Sequence, residues 1–163
     1  MHLFVTCPPK LEALLTDELN ALNIPARKWP RGASVPLSME YVYRINLESR
    51  LATRVLWPMA TFPCTSREAL YEAVKAIEWD KWLSPTSTFA IDANVTASEA
   101  FTNSHFAALV VKDAICDYFR EKTGERPSVD LQAPSAQFNF FLYQERATLS
   151  FDTSGAPLFK RGY

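Results

Sequence analysis

Glycine is scarce in this sequence. Gly32, Gly124, Gly155 and Gly162 are the only four in 163 residues, and they stand far apart; a typical chain has about three times that share. Nucleotide and dinucleotide sites need clustered glycines so that the backbone can approach phosphate. Their absence argues against a self-sufficient nucleotide- or cofactor-binding enzyme. Histidine is equally sparse, with only His2 and His105, and the three cysteines, Cys7, Cys64 and Cys116, form no C-x-x-C pair. A zinc site would have to be gathered from single distant residues, against the usual clustered spacing. Small apolar cysteines kept reduced in a cytosolic chain are the plainer reading. No apolar run approaches the roughly 18 residues that cross a bilayer. The start "MHLFVTCPPK" has neither a basic segment nor a long apolar one, so no signal peptide is expected and the expected compartment is the cytoplasm. Positive charge is also not in excess: 17 basic against 18 acidic residues give a net charge of −1.

What remains is an ordinary folding composition, 48% hydrophobic and 21% charged, long enough for one good core or two small ones. "LFVTC" (3–7) reads as a strand, and Pro8-Pro9 suit a helix entry. Leu11, Leu14, Leu15, Leu19 and Leu22 then recur at helical spacing. "IPARKWPRGASVPLS" has room for one or two short edge strands. Ser38 caps a helix over "MEYVYRINLESRLAT" with Val42, Ile45 and Leu51 inward, and "RVLWPMATF" follows as a strand whose proline implies an edge or a bulge. Near residue 62 the pattern starts again. Thr65 and Glu68 of "TSRE" read as a capping box, and Leu70, Val74 and Ile77 mark one face of the next helix. "EWDKWLSPTS" is a turn held by tryptophans, and "TFAIDANV" (88–95) a strand. A long helix follows, capped by Thr102 or Asn103 and ended by Gly124 and Pro127, then two strands, "QFNFFLYQ" and "ERATLSFDTS", reversing near Gln144-Glu145. The fold class is α+β, in two halves.

Chemistry is thin in these elements. Asp113 and Asp117 share a helix face beside Lys112 and Glu121, but nothing else converges on them, and charged residues on a solvated face are the ordinary case. Ser104 and His105 are adjacent, so their side chains diverge on a helix and make no nucleophile–base pair. No catalytic or metal-binding residue is assigned. The cations are more suggestive. His105, Lys112 and Arg120 fall within one side of the long helix, and Lys122, Arg126, Lys160 and Arg161 join them if the tail returns beside its end. Asn103 and Ser104 bring polar side chains to a helix start, which suits a phosphate. A solvated face explains the same residues, and dedicated nucleic-acid binders are usually more basic than this chain.

"NSHFAALVVKDAI" (103–115), "RPSVD" (126–130) and "LFKRGY" (158–163) carry a resemblance. With "TFAIDANV" and the two late strands, they are similar to the THUMP region of bacterial large-subunit ribosomal RNA guanine-N2-methyltransferases. "LEALLTDELNALN" and "YRINLESRLATRVLWPMATF" resemble the ferredoxin-like segment before it. The resemblance implies a ferredoxin-like domain over 1–62 and an α/β THUMP domain over 63–163. It also implies a structured RNA partner, 23S ribosomal RNA in that family, and a following methyltransferase domain that uses S-adenosylmethionine. The chain has no Asn-Pro-Pro-Tyr type catalytic motif, so it is expected to be inactive and to hold no cofactor of its own. Asn103, Ser104, Lys112, Arg120, Lys122, Arg126, Lys160 and Arg161 are the implied RNA contacts, with Ala108, Val111, Ile115 and Phe119 as the core side of the same helix. The alternatives are a transfer-RNA-modifying enzyme with the same module, or a protein-interaction domain using Trp79, Trp82 and Phe101.

Overall fold

Alternating apolar residues in short strands set the first core. The computed structural model describes residues 2–153. They form two compact units, one running to Pro58 and taking in the chain again from Phe151, the other spanning Met59–Ser150. In the first, β1 (His2–Thr6) turns Leu3 and Val5 inward, both wholly buried. α1 (Glu12–Ala21) brings Leu15 and Leu19 onto them, and α2 (Met39–Glu48) adds Val42 and Ile45. β2 (Arg27–Trp29) and β3 (Gly32–Pro36) lie between the helices in sequence, and β4 (Arg54–Pro63) closes the unit with Val55. β1 pairs with β3 and β4, and β3 also with β2, all antiparallel. The order β2-β3-β1-β4 with two helices is the ferredoxin-like arrangement.

Several expectations move here, each for a local reason. Pro8-Pro9 do not open α1. Lys10 takes a left-handed φ of 72° after them, and the helix starts only at Glu12, with no side-chain cap. Of the segment read as edge strands, only β2 is an edge; β3 is paired on both sides. Its first residue must be glycine, because a Cβ at Gly32 would meet the Val5 carbonyl oxygen at 1.9 Å. Leu14 of the leucine series is 56% exposed. α2 stops at Glu48, short of the expected end, and Leu51 lies beyond it, only partly buried against the core. Pro58 sits past the stretch where β4 pairs with β1, Arg54–Leu56, so it removes no hydrogen bond from that ladder. The expected division near residue 62 and the boundary at Pro58 and Met59 both fall within β4.

The early stop of α2 has a visible cause. The Glu18 carboxylate, on α1, accepts from the Ser49 hydroxyl at 2.5 Å and from the N–H groups of Arg50 at 3.0 Å and Leu51 at 3.4 Å. Those amides are satisfied without continuing the helix. Burial pushes the Glu18 carboxyl up, but these three hydrogen bonds outweigh it and hold the carboxyl below its ordinary range. A lowered folded value stabilises the fold above the unfolded pKa, and the gain is lost as pH falls through the folded one. Glu18→Gln should therefore cost about 1–2 kcal/mol at pH 7. The gap to wild type should close below about pH 4 in urea titrations at several pH values.

The second unit is wound differently. α3 (Arg67–Lys75) leads through a 3-10 turn (Trp79–Lys81) into β5 (Thr88–Thr96), then α4 (Ser104–Thr123), β6 (Ser128–Val129), β7 (Ala136–Tyr143) and β8 (Arg146–Asp152). Strand order is β8-β7-β5-β6, with β5 parallel to both β6 and β7, the pairing a helical crossover produces. β7 alternates, burying Phe138, Phe140 and Leu142. α4 packs on β5 and α3 on α4, burying Leu70 and Val74 together with Val110, Val111, Ala114, Ile115 and Phe119. Ala108, expected in that core, is only half-buried; Ala107 takes the inward place. Ile77 lies past the end of α3 and is half-buried. The α3 cap is Ser66, whose hydroxyl accepts the Ala69 N–H at 3.0 Å. The expected Thr65–Glu68 box is replaced one residue on, because two adjacent hydroxyls compete for the same orphan donors. Gln144, with φ of 56°, makes the reversal between β7 and β8. Among the described residues no helix is long and apolar enough to cross a membrane.

Candidate nucleic-acid interface

α4 owes its start and stop to two residues. Asn103 is the N-cap, its side-chain oxygen accepting from the His105 and Phe106 N–H groups at 2.8 and 3.3 Å. Gly124 ends the helix in the left-handed region at φ 83°, where other residues are strained. The Ser104 hydroxyl accepts the Val95 N–H at 3.1 Å and so ties the helix start to β5. The oxygens of both polar residues at this terminus are thus already used within the fold.

Further along, α3 and α4 lie side by side and run the same way. The Tyr71 hydroxyl donates to Asp117 at 2.5 Å, and Lys75 pairs with Glu121 at 2.5 Å. Where these helices and the loop after α4 meet, Arg67, Tyr71, Asp113, Cys116, Asp117, Arg120 and Arg126 line an open depression of about 460 Å3. Arg120 is only loosely held, 3.7 Å from Asp117. Arg67 and Arg126 are exposed, and among the described residues neither has an ion-pair partner. Three guanidiniums around one hollow, two of them unpartnered, can take an anion by bidentate hydrogen bonds. The hydrogen bond to Asp117 holds the Tyr71 phenol above its ordinary value, so it stays a donor. Burial likewise raises the Cys116 thiol, which donates to the Pro127 carbonyl at 3.8 Å; it is a packing group, not a nucleophile.

The remaining expected residues are placed less freely. The Lys112 ammonium is 3.9 Å from Asp113 on its own helix. Lys122 is bound to Asp80 and lies 5.5 Å above the Tyr118 ring. That pairing raises the Lys122 ammonium and lowers the Asp80 carboxyl from their ordinary values. Lys160 and Arg161 lie outside the described residues. Arg67 and Tyr71 were not singled out from the sequence. One signal existed: Arg67 is the first residue of α3, where a cation opposes the helix dipole and calls for another reason. The hollow is charged, and its one ring, Tyr71, is committed through its hydroxyl, so it does not fit S-adenosylmethionine, whose adenine needs an apolar wall.

The family model of the THUMP domain matches residues 64–152, more than half of the chain and the whole of this site. The chain belongs to the THUMP family. THUMP is an RNA-binding domain, and the RlmL ferredoxin-like domain matches residues 2–56 of the unit before it. The "Ribosomal RNA large subunit methyltransferase K/L" of Syntrophotalea carbinolica is 45% identical over 98% of the chain. The chain spans only 22% of that relative's length. Among solved structures, TrmN from Thermus thermophilus matches with a TM-score of 0.67 and 26% identity, over 93% of this chain and 45% of its own. A predicted N6-adenine-specific DNA methylase from Listeria monocytogenes matches at 0.76 and 23%, over 95% and 40%, a likeness of fold alone.

Proposed function

We propose that this THUMP chain holds ribosomal RNA for a methyltransferase domain of the same enzyme. That enzyme uses S-adenosylmethionine and modifies guanine N2 in 23S RNA in the cytoplasm. In this reading residues 1–62 and 63–163 act as the ferredoxin-like and THUMP domains. The observation that carries it is the hollow lined by Arg67, Arg120 and Arg126 inside the THUMP match. Guanidiniums take phosphate oxygens, while Asp113 and Asp117 beside them suit a 2′-hydroxyl, the group by which RNA differs from DNA. Lys112, next to Asp113, and Lys122, bound to Asp80, are weaker contributors in this reading. The kinship to a ribosomal RNA methyltransferase of much greater length supports the catalytic partner and its cofactor.

A transfer-RNA-modifying enzyme with the same module is the second reading. The protein-interaction alternative loses two of its three anchors, since Trp79 and Phe101 are buried at 0% and 2% exposure and Trp82 is only half-exposed. Fluorescence-anisotropy titrations with a ribosomal RNA hairpin, a transfer RNA and a DNA duplex test the proposal. Affinity for the ribosomal hairpin should lead and fall with salt, by about 0.7–0.9 log units per log unit of salt for each phosphate contacted. Salt-independent binding, or a preference for DNA, would overturn it.

A further inference from the structure

The charged hollow does not account for the tip of the β2–β3 hairpin. "RKWPR" (27–31) carries three cations and no carboxylate. Trp29 is 55% exposed, and among the described residues its indole makes neither a hydrogen bond nor a ring contact. Arg27 and Lys28 are exposed, and neither has an ion-pair partner among the described residues. Lysine and proline are ordinary on an edge strand, where they discourage pairing with other chains. They explain Lys28 and Pro30. They leave the indole unexplained, because a large exposed ring on an edge invites the association that the charges oppose.

The hairpin also keeps that ring uncovered. Directly opposite Trp29 in the register is Gly32, which has no side chain to lay against it. None can be introduced there, given the 1.9 Å approach of the Val5 oxygen. The tip is held in place as well. Arg31 turns the chain at φ 70°, and its carbonyl accepts the Cys7 N–H at 3.3 Å. A bare indole on a fixed turn, with the unpaired Arg27 and Lys28 beside it, is the combination that stacks a base and holds its phosphate.

We propose that the β2–β3 hairpin is a stacking site for an unpaired RNA nucleotide, with the base on Trp29 and the adjoining phosphates on Arg27 and Lys28. This rests on the RNA-binding reading, yet concerns a different unit and a different feature of the RNA. The probes are a labelled single-stranded oligoadenylate and an RNA duplex of equal length, each titrated with the full chain. Trp29→Ala should weaken oligoadenylate binding roughly 5- to 100-fold, the span of one aromatic–base stack, and leave the duplex within about twofold. Trp29→Phe, which keeps a ring, should recover most of the loss. Unchanged oligoadenylate affinity in Trp29→Ala, with duplex binding intact, would overturn the hairpin site and leave the proposed function standing. Failure of the wild-type chain to bind either RNA at low salt would overturn both.

Discussion

Trp79→Ala should destabilise the THUMP unit by about 3–5 kcal/mol, the range for removing a large buried ring. Trp79 is wholly buried, and its indole N–H donates to the Val74 carbonyl at 2.8 Å at the end of α3. Its ring meets Phe138 of β7 edge to face, with centroids 5.2 Å apart. The substitution therefore opens a cavity, takes the indole donor from the Val74 carbonyl, which keeps the Ile77 N–H at 3.2 Å, and removes an aromatic pair. Against a total stability of about 5–15 kcal/mol, that is enough to lower the unit's melting temperature by at least ~10 °C. Trp79→Phe keeps much of the volume and loses the hydrogen bond, so it should cost less. Trp82→Ala, at a half-exposed position, should cost least. Thermal unfolding followed by circular dichroism ranks the three. Equal effects at 79 and 82 would contradict the structural role given to Trp79.

Arg120→Glu combined with Arg126→Glu should lower RNA affinity at least about 100-fold at low salt. Each charge-assisted hydrogen bond is worth ~1.5–3 kcal/mol, and two reversals also place carboxylates where phosphates would sit, beside Asp113 and Asp117. The salt dependence should flatten, since fewer counterions are released per bound RNA. Both arginines are exposed, so the double variant should keep its thermal stability, which separates lost contact from lost fold. Lys122→Ala gives the contrast. Its ammonium is already taken by Asp80 and lies over Tyr118. Exchanging one exposed partner for another gains little, and affinity should change less than about threefold. Arg67→Glu, in a helix the sequence did not implicate, should behave like either member of the double variant. An Arg67→Glu protein with wild-type affinity would detach α3 from the site.

The long elements were legible because their signals are local. The apolar period of α4, its Asn103 cap and its Gly124 stop lie within one stretch of chain, and backbone geometry alone makes them a helix. The strands flanking Gln144 are equally self-announcing. Where two local signals compete, only packing chose. Ser66 rather than Thr65 caps α3, and α2 ends at Glu48 because a carboxylate from another helix satisfies the next amides. The two-residue β6 had no pattern to read, since its identity is simply its parallel pairing with β5.

The sequence by itself determined the α+β class, the two halves, the kinship to THUMP and the set of available cations, all properties of order and spacing along one chain. Tertiary structure decided which of those cations are free. Lys122 is neutralised by a residue forty-two positions away, while Arg67 meets Arg120 and Arg126 across two helices. Charge on a side chain is written in the sequence. Whether that charge still has work to do depends on what stands within a few ångströms of it, and that is a property of the fold.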